Sequence, residues 1–110
     1  MAYFMRFLSK KPMKDLEKVI EAVADAMDLS PCQILCKRRY QETIDARWMV
    51  VFLLRERGFY SSRIALWMDM SARNVNLILT EMHNRLSNEQ KLRSNLELAR
   101  KYLLKKDSDL

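Results

Sequence analysis

The order of hydrophobic and polar residues along the chain predicts a series of helices. From Asp15 to about Asp28, apolar residues recur with the i, i+3, i+4, i+7 spacing of one buried helix face. Ser30 followed by Pro31 is typical of an N-cap with proline at the first helical position, so a short second helix should end near Cys36. The buried face of the first helix is predicted to comprise Leu16, Val19, Ile20, Val23 and Met27.

A basic loop and a longer helix are predicted next. The segment Lys37 to Gln41 is basic and has no apolar period, which favours a loop. The helix should extend from Thr43 to Arg57, and Gly58 is well placed to adopt the left-handed conformation that ends many helices. Arg47 is expected on the exposed side of this helix. Successive turns of this helix carry Ile44, Trp48, Val51, Phe52 and Arg55.

Serines mark the expected starts of the three remaining helices. Ser61 or Ser62 should cap a short helix, and Ser71 should cap the next one. Ser87 with Gln90 three residues later has the pattern of a capping box for the last helix. The apolar residues of these helices are Ile64, Ala65, Leu66 and Met68, then Val75, Ile78, Leu79, Met82 and Leu86, and finally Leu92, Leu96, Ala99 and Leu103.

This pattern predicts one compact all-α domain of about six helices over residues 15–104, between an N-terminal arm (1–14) and a frayed tail (105–110). One glycine and two prolines among 110 residues agree with a helical chain. The net charge is +6, and it is uneven: residues 15–30 carry five acids and one base, whereas residues 36–73 carry eight bases and four acids. Such a basic segment favours a polyanionic partner such as nucleic acid.

Few residues in this sequence suit metal binding or catalysis. Cys32, Cys36 and His83 are the only cysteines and histidine, too few for a four-ligand zinc site of sulfur and imidazole. We therefore expect no cofactor, no metal and no enzymatic activity, and the cysteines are interpreted as small core residues. The N-terminal run MAYFMRFLSKK is too short to span a bilayer and has the reverse of a signal peptide's order. A cytoplasmic protein without membrane contact is expected.

The segment SSRIALWMDMSARNVNLILT, residues 61–80, has the spacing of a helix-turn-helix. That motif requires a small residue in its first helix and apolar residues on the inner face of the second, and Ala65, Val75 and Ile78 occupy these positions. Asp69 stands where the turn commonly has glycine, and aspartate tolerates a left-handed conformation better than most residues. A plain helical hairpin would bury the same positions and is the alternative.

The outer face of the second helix of this pair carries side chains that suit DNA bases. Arginine and asparagine make bidentate contacts with guanine and adenine, and alanine, leucine and the threonine methyl suit thymine methyl groups. The helix has no acid before Glu81. The predicted base-reading residues are Ser71, Ala72, Arg73, Asn74, Asn76, Leu77 and Thr80. A solvated polar face is the other interpretation.

Residues 29–56, LSPCQILCKRRYQETIDARWMVVFLLRE, resemble the start of domain IV of the bacterial replication initiator DnaA. In that family a short helix leads to a basic loop and then to a helix of the form A-R-x-x-A-M-x-L, which here is Ala46 to Leu53. The likeness extends over residues 15–86 and implies a Trp-repressor-like helix-turn-helix domain that binds double-stranded DNA. It also implies that Arg38 or Arg39 contacts the backbone and minor groove, and that Arg47 contacts phosphate.

The recognition helix departs from the family, because Met70 to Val75 replaces its G-R-D-H-[ST]-T-V and lacks the Asp and the His. A changed sequence preference is expected, since phosphate contacts position a protein and base contacts specify the site. The initiator's ATP-binding motif, G-x-x-x-x-G-K-[ST], is not present, so we expect a free-standing, nucleoid-associated regulator of phage or mobile-element replication or transcription. The predicted phosphate and minor-groove residues are Lys37, Arg38, Arg39, Arg47, Ser62 and Arg63.

A protein-interaction module that binds a host or phage replication or transcription protein, without reading DNA, is the alternative function. Methionines are adaptable apolar groups that suit loose interfaces, although core packing explains them equally well. Those near the motif and in the arm are Met1, Met5, Met13, Met68, Met70 and Met82. Either function is compatible with a monomer or a dimer.

Overall fold

The described part of the chain is entirely helical outside its turns. A computed structural model describes residues 10–35 and 40–108, with side chains from residue 14 onward. Over these residues there are six α-helices and no strand, which confirms the all-α prediction. The radius of gyration is 13.3 Å, as expected of a compact domain of this length. The helices are α1 Lys10–Met27, α2 Pro31–Leu35, α3 Gln41–Glu56, α4 Ser61–Met68, α5 Ala72–Asn88 and α6 Gln90–Ser108.

Helix α3 is the centre of the fold, because all five other described helices pack against it. The consecutive residues 49–54 are buried, so this part of the helix is covered on every side. Arg47 was predicted on the exposed side of this helix but is half-buried, as are Ile44 and Trp48. A helix that is apolar around its whole circumference is an interior helix.

The starts and ends of several helices agree with their predicted caps. The Ser30 hydroxyl accepts a hydrogen bond from the Gln33 backbone N–H at 3.2 Å, and the Gln33 side-chain oxygen accepts one from the Ser30 N–H at 2.8 Å. This reciprocal pair stabilises the start of α2. Ser71 caps α5 by accepting from the Asn74 N–H at 3.0 Å. Gly58 follows α3 with φ of 100°, the left-handed conformation expected of it.

Two other predicted caps are wrong. Neither Ser61 nor Ser62 caps α4, because the N-cap is Tyr60, which has extended backbone and forms no side-chain cap. Ser87 starts no capping box either. It lies inside α5, where its hydroxyl donates to the His83 carbonyl oxygen at 3.1 Å, and α5 continues to Asn88.

Differences from the sequence predictions also occur at both ends of the chain. Helix α1 begins at Lys10, so the last residues of the predicted arm are helical, and residues 1–9 lie outside the described part. The predicted frayed tail is wrong through Ser108, because α6 continues to that residue. Residues 109–110 lie outside the described part as well. Cys32 is exposed and is not a core residue, and Cys36 lies among the undescribed residues 36–39.

An ion-pair network holds the end of α6 against the start of α1. Arg57, directly after α3, contacts Asp15 of α1 at 2.8 Å and Asp107 of α6 at 3.1 Å. Lys18 contacts the same Asp107 carboxylate at 3.3 Å. The bidentate contact of one guanidinium with Asp107 is a favourable geometry. The tail is helical because these contacts join α1, the end of α3 and the end of α6 at one point.

We expect Asp107→Asn to reduce the free energy of unfolding at neutral pH and to flatten its decline in acid. Hydrogen bonds from Arg57 lower the pKa of Asp107 below its ordinary value of 3.8. A lowered folded-state pKa stabilises the fold above the ordinary value, and this contribution is lost as the pH falls through the lowered pKa. The Asp107 side chain is 34% exposed, so solvent screening limits the effect to less than about 1 kcal/mol.

Urea denaturation of wild type and Asp107→Asn from pH 7 to pH 3 measures this difference. Glu97→Gln is the matched control, because Glu97 is exposed on the same helix and has no ion pair within the described residues. Equal pH profiles for the Asp107 and Glu97 variants would mean that the network does not stabilise the fold.

Candidate nucleic-acid interface

Helices α4 and α5 form a tight helical pair over residues 61–80. Asp69 ends α4 in the left-handed conformation, with φ and ψ both 54°, as its position in the motif predicts. The Met70 N–H then donates to the Ala65 carbonyl oxygen at 2.9 Å, which closes the last turn of α4. Only Met70 and Ser71 separate Asp69 from the first residue of α5. The turn therefore redirects the chain within three residues.

The inner positions of this pair are buried as predicted. Ala65 is 5% exposed, Val75 is fully buried and Ile78 is 3% exposed. These residues attach α5 to the core on one side, and α5 also packs on α3 and α6. Burial of this stripe fixes which side chains of α5 face outward.

The outer face of α5 presents all of the predicted base-reading residues to solvent. Arg73, Leu77 and Thr80 follow one another on successive turns, and Leu77 is 57% exposed. Met70 and all of the base-reading residues except Ala72 line one shallow surface groove. Arg73 is the only charged residue in α5 before Glu81, so nothing on this part of the helix repels an anion. The exposed residues are Ser71, Ala72, Arg73, Asn74, Asn76, Leu77 and Thr80.

Some of these side chains form hydrogen bonds within the protein, whereas others have donors that remain free to contact a ligand. Asn74 donates its side-chain N–H to the Met70 sulfur at 3.6 Å, and the Thr80 hydroxyl donates to the Asn76 carbonyl oxygen at 3.1 Å. Asn76 accepts on its side-chain oxygen from the Ser61 hydroxyl at 2.6 Å. Within the described residues, the Arg73 guanidinium and the Asn76 amide N–H₂ form no hydrogen bond. Arg73 and Asn76 are therefore the side chains of this face whose N–H donors are all unused within the described residues.

The opposite end of α5 is anchored to α3 by Arg85. Its guanidinium contacts Asp45 at 2.9 Å and Glu89 at 2.8 Å, and it lies 5.3 Å from the centre of the Trp48 ring. The hydrogen bond with Glu89 is the main reason why the pKa of Arg85 is raised. Because Arg85 is permanently charged, this anchor persists at all physiological pH values. The outer face of α5 is thus held in a fixed orientation on the core.

The predicted phosphate-contacting residues divide into three groups. Lys37, Arg38 and Arg39 lie outside the described residues. Ser62 and Arg63 are exposed in the first turn of α4, and the Arg63 guanidinium lies 5.8 Å from the centre of the Trp67 ring. Arg47 lines a cleft of about 460 Å³ between α3 and the α4–α5 turn, with Asn74 on its other side. Arg47 and Asn74, in the first turn of α5, therefore line the same cleft.

The role of Ser61 was not evident from the sequence, where its position suggested only a cap. Its hydroxyl instead contacts Asn76, 15 residues further along the chain. This contact depends on how α4 and α5 cross, and no local sequence pattern indicates it. Trp67 was missed as well, although Arg63 lies four residues earlier on the same helix, a spacing at which side chains meet. The Trp67 ring also packs on Phe59, with ring centres 5.1 Å apart.

No protein-family model matches the chain, and no curated protein is significantly similar to it. Over the described residues, no helix is both long and apolar enough to cross a membrane. No group of three or more His, Cys, Asp or Glu side chains in the same residues could hold a metal ion.

Proposed function

We propose that this protein binds double-stranded DNA, with α4 and α5 as a helix-turn-helix and α5 as its recognition helix. The observation that carries the proposal is the outer face of α5: seven exposed residues, no acid, and a buried stripe on the opposite side. An α-helix is about 10–12 Å in diameter with its side chains, which matches the major groove of about 12 Å. A plain helical hairpin requires no such face.

The side chains of this face match the chemistry of base edges. Arg73 has the planar, bidentate donor group that pairs with guanine O6 and N7, and Asn76 has the carboxamide that pairs with adenine N6 and N7. Ala72, Leu77 and the methyl group of Thr80 offer apolar contacts for thymine methyl groups. Arg73 and Asn76 are one helical turn apart on the same face, so they would contact nearby base pairs.

Contacts with phosphate would come from the residues that surround α5. Arg63 and Ser62 lie on the first turn of α4, and Arg47 lies near the start of α5. The net charge of +6 agrees with a polyanionic ligand. The resemblance of residues 29–56 to DnaA domain IV supports the same function and adds Lys37, Arg38 and Arg39 as backbone contacts. We extend this proposal to a nucleoid-associated regulator of phage or mobile-element replication or transcription.

The affinity for duplex DNA should fall steeply with salt, because binding releases counterions from the phosphates. With about four to six phosphate contacts, a plot of log K against log salt should have a slope of about −4 to −5. Fluorescence anisotropy with a labelled duplex from 50 mM to 300 mM salt, about a sixfold range, measures it. Arg63→Ala should make the slope shallower by about one.

Lys101→Ala is the matched control for Arg63→Ala, since Lys101 is an exposed base in the half of α6 that packs toward α1. It should leave the slope unchanged. A wild-type slope near zero would contradict electrostatic binding of DNA.

A protein-interaction module is the second candidate, and exposed apolar side chains on the helical pair favour it. Tyr60 is 75% exposed, Leu66 is 49% exposed and Leu77 is 57% exposed. Met68 and Met82 do not add to this surface, because both are buried and Met70 is half-buried. Selection of bound duplexes from a random-sequence pool separates the two functions: an enriched sequence supports DNA reading, and retention of no duplex supports the interaction module.

A further inference from the structure

The hydrogen bond between Ser61 and Asn76 joins the first residue of α4 to the outer face of α5. Ser61 Oγ donates to Asn76 Oδ1 at 2.6 Å. Helix α4 does not use this hydroxyl at its own start, because Tyr60 is the N-cap and Ser61 already has helical conformation. Ser61 is half-buried, whereas Asn76 is exposed. The serine therefore holds a side chain that would otherwise move freely in solvent.

This bond determines what the Asn76 carboxamide offers to a ligand. A carboxamide oxygen has two lone pairs, and Ser61 uses one of them. Both amide hydrogens of Asn76 have no partner within the described residues. The side chain thus offers an N–H donor and one remaining acceptor in a fixed orientation. Adenine requires that pair, because its N7 accepts a hydrogen bond and its N6 amino group donates one.

We propose that Ser61 is a positioning residue that fixes the Asn76 carboxamide for recognition of adenine in the major groove; the proposal rests on the DNA-binding function given above. Ordering an exposed side chain at a binding surface costs free energy at the moment of binding. Ser61 orders Asn76 before DNA arrives, so less of that cost falls on binding. The serine does not contact the base, and its effect passes through Asn76 alone.

Duplexes that contain 7-deazaadenine test this role. Replacing each adenine in turn in a duplex selected from a random pool removes its N7 acceptor without changing Watson–Crick pairing. Wild type should lose affinity by about 5- to 100-fold at one adenine. Asn76→Ala should be insensitive to the replacement at that position. Ser61→Ala should weaken binding of the unmodified duplex by about 2- to 10-fold and reduce the loss caused by 7-deazaadenine.

Two further variants separate positioning from a general effect on α4. Ser61→Thr retains the hydroxyl and should restore sensitivity to 7-deazaadenine. Ser62→Ala makes the same change at the next residue, a proposed phosphate contact that forms no hydrogen bond within the described residues, so it should weaken binding of the unmodified and the 7-deazaadenine duplexes alike and retain the wild-type loss caused by 7-deazaadenine. In a double-mutant cycle, Ser61→Ala should have no further effect when Asn76 is already alanine.

A measurement without DNA tests the contact itself. The Asn76 side-chain N–H₂ resonances should report an ordered carboxamide in wild type and Ser62→Ala, and a mobile one in Ser61→Ala. If Ser61→Ala leaves these resonances unchanged, the positioning role is overturned.

The measurements with DNA distinguish failure of this proposal from failure of the proposed function. An enriched duplex that tolerates 7-deazaadenine at every adenine would overturn adenine recognition while leaving DNA binding intact. If the pool yields no retained duplex, both proposals are overturned.

Discussion

Val75→Asp should unfold the domain, whereas Leu77→Asp, two residues further along α5, should leave it folded. Val75 is fully buried in the stripe that attaches α5 to the core, so an aspartate there would be an unpaired charge in an apolar interior. A cost of several kcal/mol is comparable with the whole stability of about 5–15 kcal/mol typical of such domains. Leu77 is 57% exposed, and the same carboxylate there remains in water.

Circular dichroism during thermal and urea denaturation measures both variants. Loss of the cooperative transition in Val75→Asp, with a near-wild-type midpoint in Leu77→Asp, is the expected result. An unchanged midpoint for Val75→Asp would mean that the opposite face of α5 is the buried one. The folded Leu77→Asp variant should also lose duplex affinity, because its carboxylate would face the phosphates from the centre of the reading face.

Arg73→Lys should reduce discrimination between the preferred duplex and a scrambled one while retaining non-specific affinity. Lysine keeps the charge but lacks the planar, bidentate donor group that matches guanine. The expected loss on the preferred duplex is about 1–3 kcal/mol, with little change on the scrambled duplex or in the salt slope. Arg73→Ala should lose affinity for both duplexes, because it also removes the charge.

Arg63→Lys is the control for Arg73→Lys, since it makes the same substitution at a predicted phosphate-contacting residue. Discrimination should remain at the wild-type level in Arg63→Lys, because phosphate contacts carry no sequence information directly. Titration of each variant with both duplexes at one salt concentration gives the comparison. Full discrimination by Arg73→Lys would show that Arg73 contacts phosphate or a protein instead of guanine.

Helix α5 shows what local pattern could predict. Its start depends on a serine cap and its buried face on an apolar period, and both signals lie within a few residues of the structure that they determine. The sequence therefore identified the outward residues of α5 correctly. The end of α5 was not predicted, because the capping-box pattern at Ser87 competes with Arg85, whose contacts with Asp45 and Glu89 hold the helix in place to Asn88.

Features that depend on packing between distant segments were not predictable in this way. The apolar residues 49–54 are interior because five helices surround α3, and a helical period cannot show how many neighbours a helix has. The helical tail depends on Arg57, 50 residues away from Asp107. The DNA-binding function itself, and the basic loop at 37–39 that the resemblance emphasises, remain predictions.

Few side chains of α5 have donors that are all unused, and this limits how much DNA sequence one copy of this protein could read. About four base pairs would be specified by Arg73, Asn76 and the apolar contacts of Leu77 and Thr80. Each fully specified base pair corresponds to about two bits of information. A four-base-pair word occurs by chance about once in 250 positions, whereas a genome offers about 10⁶–10⁹ competing sites. One recognition helix would therefore bind at thousands to millions of places. Binding at a single genomic site would require several such short sequences to be recognised together. Two copies of the protein could do this by occupying half-sites about 34 Å apart on the same face of the duplex.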